Sequence, residues 1–304
     1  MYKEIIVSII ELSAIIGLGM LARHLKYLKE EDLSHWSKLI IDFLFPCLIF
    51  SSITGNLKAE RLHELWPMPF IGFGLMFFGA VVGIFLKKWV YSDSIELRNT
   101  FHHFCAINNY GFLPIVLVQN LLGPKALPLL FLLNLGSNFA FWTIGVGLLG
   151  GKIDKKTLKN IISPTLITLL CSLILVVTGL SSYVPRTFLN ITNSAGNAAI
   201  PCMLMIIGAS LYSALKIRDH IRDLIYISFL RLILIPMATI LLLRLIPLPE
   251  DAYKIAYIVA IMPAAVSSTI IARRFGGDTN FAGQVSFYTT LLSIITIPAF
   301  MYFI

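Results

Sequence analysis

Ile40-Ile41-Asp42-Phe43-Leu44-Phe45-Pro46-Cys47-Leu48-Ile49-Phe50-Ser51 and Ala195-Gly196-Asn197-Ala198-Ala199-Ile200-Pro201-Cys202-Met203-Leu204-Met205-Ile206 read as two copies of one element. Each puts Pro-Cys in the middle of an apolar segment, 155 residues apart. The same offset lays Cys105-Ala106-Ile107-Asn108 on Ala260-Ile261-Met262-Pro263, a second pair of helix-breaking stretches deep in apolar sequence. The offset is close to half of the 304-residue chain, which predicts a protein built from two halves.

Composition sets the class. The chain is 57% hydrophobic and 13% charged, with mean hydropathy +0.84. A soluble domain carries about 25% charged residues, so this chain could not cover a water-facing surface. Runs of about 20 apolar residues, enough for a hydrocarbon core of roughly 30 Å, recur along its whole length. Ten are predicted: 5–25, 33–53, 67–88, 99–122, 125–149, 161–181, 187–213, 224–246, 252–274 and 283–303. The first reads as a retained helix rather than a secretory signal, because no small-residue cleavage pattern follows it before Arg23-His24. Cys47, Cys105, Cys171 and Cys202 all fall inside predicted spans with no CxxC pair, and read as packing residues.

The net charge of +8 is distributed by loop. Odd-numbered connections and their helix ends hold sixteen Lys and Arg residues, including Lys87, Lys88, Lys155, Lys156, Lys216 and Arg218. The termini and even-numbered connections hold seven, and Arg231 stays inside a span. The positive-inside rule then puts both termini outside and the 150–160 loop in the cytoplasm of a multi-pass cell-membrane protein. A nucleic-acid partner is excluded, since a basic patch for acidic partners would not alternate loop by loop.

The polar stretch Gly150-Gly151-Lys152-Ile153-Asp154-Lys155-Lys156 separates a first repeat, 1–149, from a second, 161–304, with 150–160 as the linker. Five spans per half is odd, so the second half enters the membrane from the opposite side and the repeat is inverted. Paired interrupted helices in such halves point to a secondary transporter. Span four carries Asn108-Asn109-Tyr110-Gly111-Phe112-Leu113-Pro114, and span nine carries Ile261-Met262-Pro263-Ala264-Ala265-Val266-Ser267-Ser268-Thr269. Proline removes a backbone donor and clashes with the preceding turn. Such breaks persist only within protein or beside a water-filled cavity.

Several of these residues also carry a resemblance. Asn109-Tyr110-Gly111-Phe112-Leu113-Pro114, Asn134-Leu135-Gly136 with Asn138 and Phe141-Trp142, Met262-Pro263-Ala264-Ala265-Val266-Ser267-Ser268, and Gly276-Gly277-Asp278 to Pro298 resemble the auxin efflux carrier family, in particular its bacterial permeases. The resemblance implies an all-α membrane fold of ten helices in two inverted five-helix repeats, similar to sodium/proton antiporters, with broken helices four and nine crossing at their prolines. It implies a scaffold part and a moving crossover part, and as substrate a small organic anion, auxin-like or a dicarboxylate such as malonate or malate. The long hydrophilic central loop of the plant carriers is missing here.

The candidate substrate-binding residues are Asn108, Asn109, Tyr110, Gly111, Pro114, Pro263, Ser267 and Ser268. Amides can donate to a carboxylate, and half-helix amino ends suit an anion without a buried cation. The competing reading is that amides and hydroxyls satisfy freed helix carbonyls. Asp42, inside span two, is a candidate proton or sodium coupling site or an ion-pair partner for Arg231. His102 and His103 read as interfacial anchors rather than a proton relay. Asn134, Asn138 and Gln284 read as interhelical hydrogen-bond formers. Gly72, Gly74, Gly79 and Gly83 read as sites of close helix contact. No HExxH, GxSxG, P-loop or dinucleotide fingerprint occurs, so neither enzyme chemistry nor a cofactor or metal is expected. A homodimer stays open, and a non-transporting membrane receptor with the same fold is the competing class.

Overall fold

The structure, a computed structural model, describes residues 2–212 and 220–303. Lys216 and Arg218, counted above for orientation, lie outside these residues. The first part of the chain forms α1 (Tyr2–His24), α2 (Glu30–Leu39), a π-helical segment Ile40–Leu44, α3 (Phe45–Asn56), the short α4 (Leu62–Leu65) and α5 (Pro67–Leu86). It continues through α6 (Ile95–Ala106), α7 (Phe112–Leu121), α8 (Leu127–Ala140), a π segment Phe141–Gly145 and α9 (Val146–Leu148). After the linker helix α10 (Lys155–Lys159) come α11 (Pro164–Val177), α12 (Arg186–Tyr212) and α13 (Ile221–Phe229). A third π segment, Leu230–Leu234, leads into α14 (Ile235–Leu243), followed by α15 (Glu250–Ala260), α16 (Ser268–Phe275) and α17 (Thr279–Met301).

Among the described residues, seven helical runs are long and apolar enough to cross a bilayer, including Ile5–His24, Glu30–Asn56 and Thr279–Met301. α11 is a shorter apolar helix, and the predicted spans four and nine are each broken, at 107–111 and 261–267. Two of the π segments have a cause in the sequence. The ring of a helical proline collides with the carbonyl four residues earlier. Pro46 and Pro236 meet Asp42 and Leu232 in this way, and both of those residues lie in widened turns.

Close crossings hold the bundle. α1 packs on α12, and α3 packs on both α11 and α12. A Cβ on Gly19 would run into the Met205 carbonyl, and one on Gly208 into the Ile16 carbonyl. Gly72 and Gly136 bring α5 and α8 together against the Leu133 and Pro69 carbonyls. Of the other expected contact glycines, Gly79 and Gly83 lie against α6, whereas Gly74 has nothing within 4 Å. Buried side chains form two clusters, one centred on α1, α3, α8 and α12, the other on α6, α13, α16 and α17. The two chain breaks lie between them.

Candidate functional site

α6 ends at Ala106 because Asn-Asn-Tyr-Gly follows Ile107 with Pro114 close behind; α15 ends at Ala260 because Pro263 cannot donate to a continuing helix. The freed backbone groups then pair with each other. Asn108 and Ala264 form an antiparallel bridge, the one β-type pairing among the described residues. The Asn109 N–H donates to the Pro263 carbonyl at 2.7 Å. The Asn108 side chain donates to the Val259 carbonyl at 2.6 Å. The Ala264 N–H donates to the Thr289 hydroxyl at 3.2 Å, and the Ser286 hydroxyl donates to the Ala265 carbonyl.

Beside this crossing lies a cavity of ≈ 260 Å³. Its walls come from Ile41, Phe45 and Ile49, from Asn109 to Phe112, from α8 and the π segment after it, from residues 160–169 in part, and from Ala265 and Ser267. None of the lining residues is charged, and six are aromatic: Phe45, Tyr110, Phe112, Phe131, Phe141 and Trp142. Asn109, Asn134 and Asn138 face it, and none of the three side chains has a protein hydrogen-bond partner among the described residues. The amino end of α7 opens onto the same space. Gly111, its cap residue, supplies no side chain, and the N–H groups of Phe112 and Leu113 meet no acceptor among the described residues. Such orphan N–H groups carry the positive end of the helix dipole.

The sequence-predicted residues divide into two groups. Asn109, Tyr110, Gly111 and Ser267 line the cavity. Asn108, Pro114, Pro263 and Ser268 do not; they are buried structural members of the breaks. The Ser268 hydroxyl donates to His103 Nε2 at 2.8 Å, because His103 Nδ1 must donate to the Gly145 carbonyl at 2.8 Å. His102 donates to the Ala80 carbonyl. Both histidines are buried, 4% and 0% exposed, so they are not the interfacial anchors expected from their place near the start of span four. Asn134 and Asn138 form no interhelical hydrogen bond among the described residues and line the cavity instead. Buried Gln284 leaves its side-chain oxygen unpartnered.

The Asp42–Arg231 ion pair does not form. Arg231 is 3% exposed and donates from its two terminal nitrogens to the carbonyls of Cys105 and Ala260, each at 3.3 Å. Asp42 is half-buried on the π segment before α3 and does not line the cavity. Among the described residues, no group of three His, Cys, Asp or Glu side chains is placed to hold a metal ion.

The family profile described as membrane transport protein matches residues 4–301. The chain belongs to that family, the auxin efflux carrier family. Among curated relatives, an uncharacterized transporter of Methanocaldococcus jannaschii is 26% identical over 285 residues, 92% of each chain. An uncharacterized transporter of Methanothermobacter thermautotrophicus is 22% identical over 296 residues, 96% of this chain and 95% of the relative. The match of this auxin efflux carrier family member to both runs through the two breaks and the cavity walls, so the crossing belongs to the part of the chain shared with proteins named as transporters.

Proposed function

We propose that this membrane transport protein is a secondary active transporter that carries a small organic anion by alternating access. The observation that carries the proposal is the open amino end of α7, which meets three unpartnered amides in a cavity without charged walls. A carboxylate placed there gains charge-assisted hydrogen bonds and the helix dipole together. The aromatic lining offers an apolar body somewhere to sit. A second carboxylate would have no cation to meet, so the reading favours one acid group on an apolar frame over a dicarboxylate.

The architecture proposed is two inverted five-helix repeats, 1–149 and 161–304. The crossings support it: α1 meets α12 while α3 meets α11, the pattern expected when first-half and second-half helices exchange roles about a two-fold axis. In this reading both termini lie outside, the 150–160 loop is cytoplasmic, and the breaks travel with the α6–α13–α16–α17 cluster past a scaffold of α1, α3, α11 and α12. The driving ion is a proton or sodium, and Asp42 is its candidate site.

Proteoliposomes test the proposal. Saturable uptake of phenylacetate exceeding that of malonate, with counterflow, is the expected result. Saturable binding without counterflow would make the protein a receptor, and no flux of any acid in a broad panel by folded protein would remove the anion reading.

A further inference from the structure

Arg231 stands in the π segment between α13 and α14. Nη1 donates to the Cys105 carbonyl and Nη2 to the Ala260 carbonyl, both at 3.3 Å, while Nε has no partner. The two carbonyls sit in the last turns of α6 and α15 and are 155 residues apart, the offset that relates the two halves of the sequence. Each belongs to a helix carboxyl end, where unsatisfied carbonyls accumulate about half a negative charge. Two such ends amount to about one negative charge, which a single guanidinium balances. Among the described residues, no carboxylate is paired with it. Asp42 makes no ion pair with Arg231, and buried Asp223 spends both oxygens on the N–H groups of Tyr91 and Ser92.

We propose that Arg231 is a positioning residue for the candidate site: it ties the carboxyl ends of both broken helices and, by cancelling their charge, leaves the neighbouring α7 amino end attractive to an anion. The electrostatic part rests on the anion reading above; the tie does not. Without the guanidinium, two like-signed helix ends face each other in a space that excludes water, and the Asn108–Ala264 bridge loses its clamp. Lysine keeps the charge but cannot fork to two carbonyls. Glutamine can still donate to a carbonyl but brings no charge.

The test uses the full chain in membranes. Cys47, Cys105, Cys171 and Cys202 are replaced by Ala; Cys105 contributes only its main-chain carbonyl to the tie, so that change preserves it. Asn108→Cys and Ala264→Cys are then introduced. Antiparallel bridge partners have Cα atoms about 4.5–5.5 Å apart, inside the span a disulfide needs. Oxidation should join the pair with Arg231 present, and joining should fall sharply with Arg231→Met. In the native-cysteine protein, binding of phenylacetate and of its uncharged isostere phenylacetamide is compared across Arg231→Gln and Arg231→Lys. The expected result with Gln is an acid-to-amide preference reduced by about fivefold or more, with Lys recovering part of it. Equal cross-linking with Arg and Met would overturn the tie. An unchanged acid-to-amide ratio in Gln would overturn the electrostatic role, because a purely structural loss weakens both ligands alike. If the unaltered protein bound neither compound while the cross-link still required Arg231, the anion reading would fall and the tie would stand. Should the Met variant be absent from membranes, the Gln variant replaces it in the cross-linking arm.

Discussion

The two chain breaks share their carboxyl side and differ on their amino side. α6 and α15 both end in a carbonyl held by Arg231. Beyond the crossing they diverge. α16 begins inside a run of tight turns, where the main-chain N–H of Ser268 donates to the Ala265 carbonyl, that of Thr269 to Val266 and that of Ile270 to Ser267. α7 begins directly after Gly111, with its first N–H groups unanswered. Pro263-Ala264-Ala265 fits the first case, since small residues let the chain curl back on itself. Asn109-Tyr110-Gly111 fits the second, with an amide, a bulky ring and a flexible glycine where the other break has Ala264-Ala265-Val266. Of the two half-helix amino ends, local sequence therefore leaves one open and closes the other.

The largest effect expected is at the open break. Asn109→Ala removes an amide with no protein partner, so stability should hold while anion affinity falls by about 1.5–3 kcal/mol, the worth of a hydrogen bond to a charged group. Asn138→Ala, farther from the break, should cost less in the same titration. Equal losses would mean that the break itself has no special part in binding. At the closed break the dependence should reverse. Thr289→Val strands the Ala264 N–H, and thermal unfolding should show a loss of about 1–3 kcal/mol with affinity little changed.

Smaller effects concern how each half-helix is anchored. Asp251, in the first turn of α15, accepts from Arg61 Nη1 at 2.8 Å. Partial burial pushes its carboxyl up, but the Arg61 hydrogen bond and charge outweigh that and hold it below the usual range. A lowered folded value means that the stabilisation is complete above the unfolded value, near 3.9, and is lost as pH falls through the folded one. Both side chains are about two-fifths exposed, so Asp251→Asn should cost only about 0.2–1 kcal/mol at neutral pH and nothing at strongly acidic pH. Asp42→Asn should change stability by less than about 0.5 kcal/mol, because it makes no ion pair among the described residues. Loss of pH or sodium dependence of transport in that variant would assign it the coupling ion; a large stability loss would reinstate a buried partner.

Much of this was readable in the chain. Proline, glycine and paired asparagines placed both breaks within a residue or two of where the helices stop. The π segments at Ile40–Leu44 and Leu230–Leu234 had a signal in Pro46 and Pro236, but the choice between a kink and a widened turn depends on packing. Arg231 was misassigned because its partners are main-chain carbonyls, which carry no side-chain signature. His103 was misplaced for a related reason: its partners Gly145 and Ser268 lie 42 and 165 residues away. The amides of α8 show a different failure. Asn134 and Asn138 are one turn apart on the face that also presents Trp142, and that spacing fits a helix contact as well as a cavity wall.

The most direct measurement is a structure of the protein with 4-bromophenylacetate, read from the anomalous signal of bromine and the density of the carboxylate. The carboxylate should lie within hydrogen-bond distance of the Phe112 and Leu113 N–H groups and the Asn109 amide, with bromine among Phe45, Phe131 and Trp142. A carboxylate bound instead at the amino end of α16, or at neither break, would contradict the assignment of the anion to the open one.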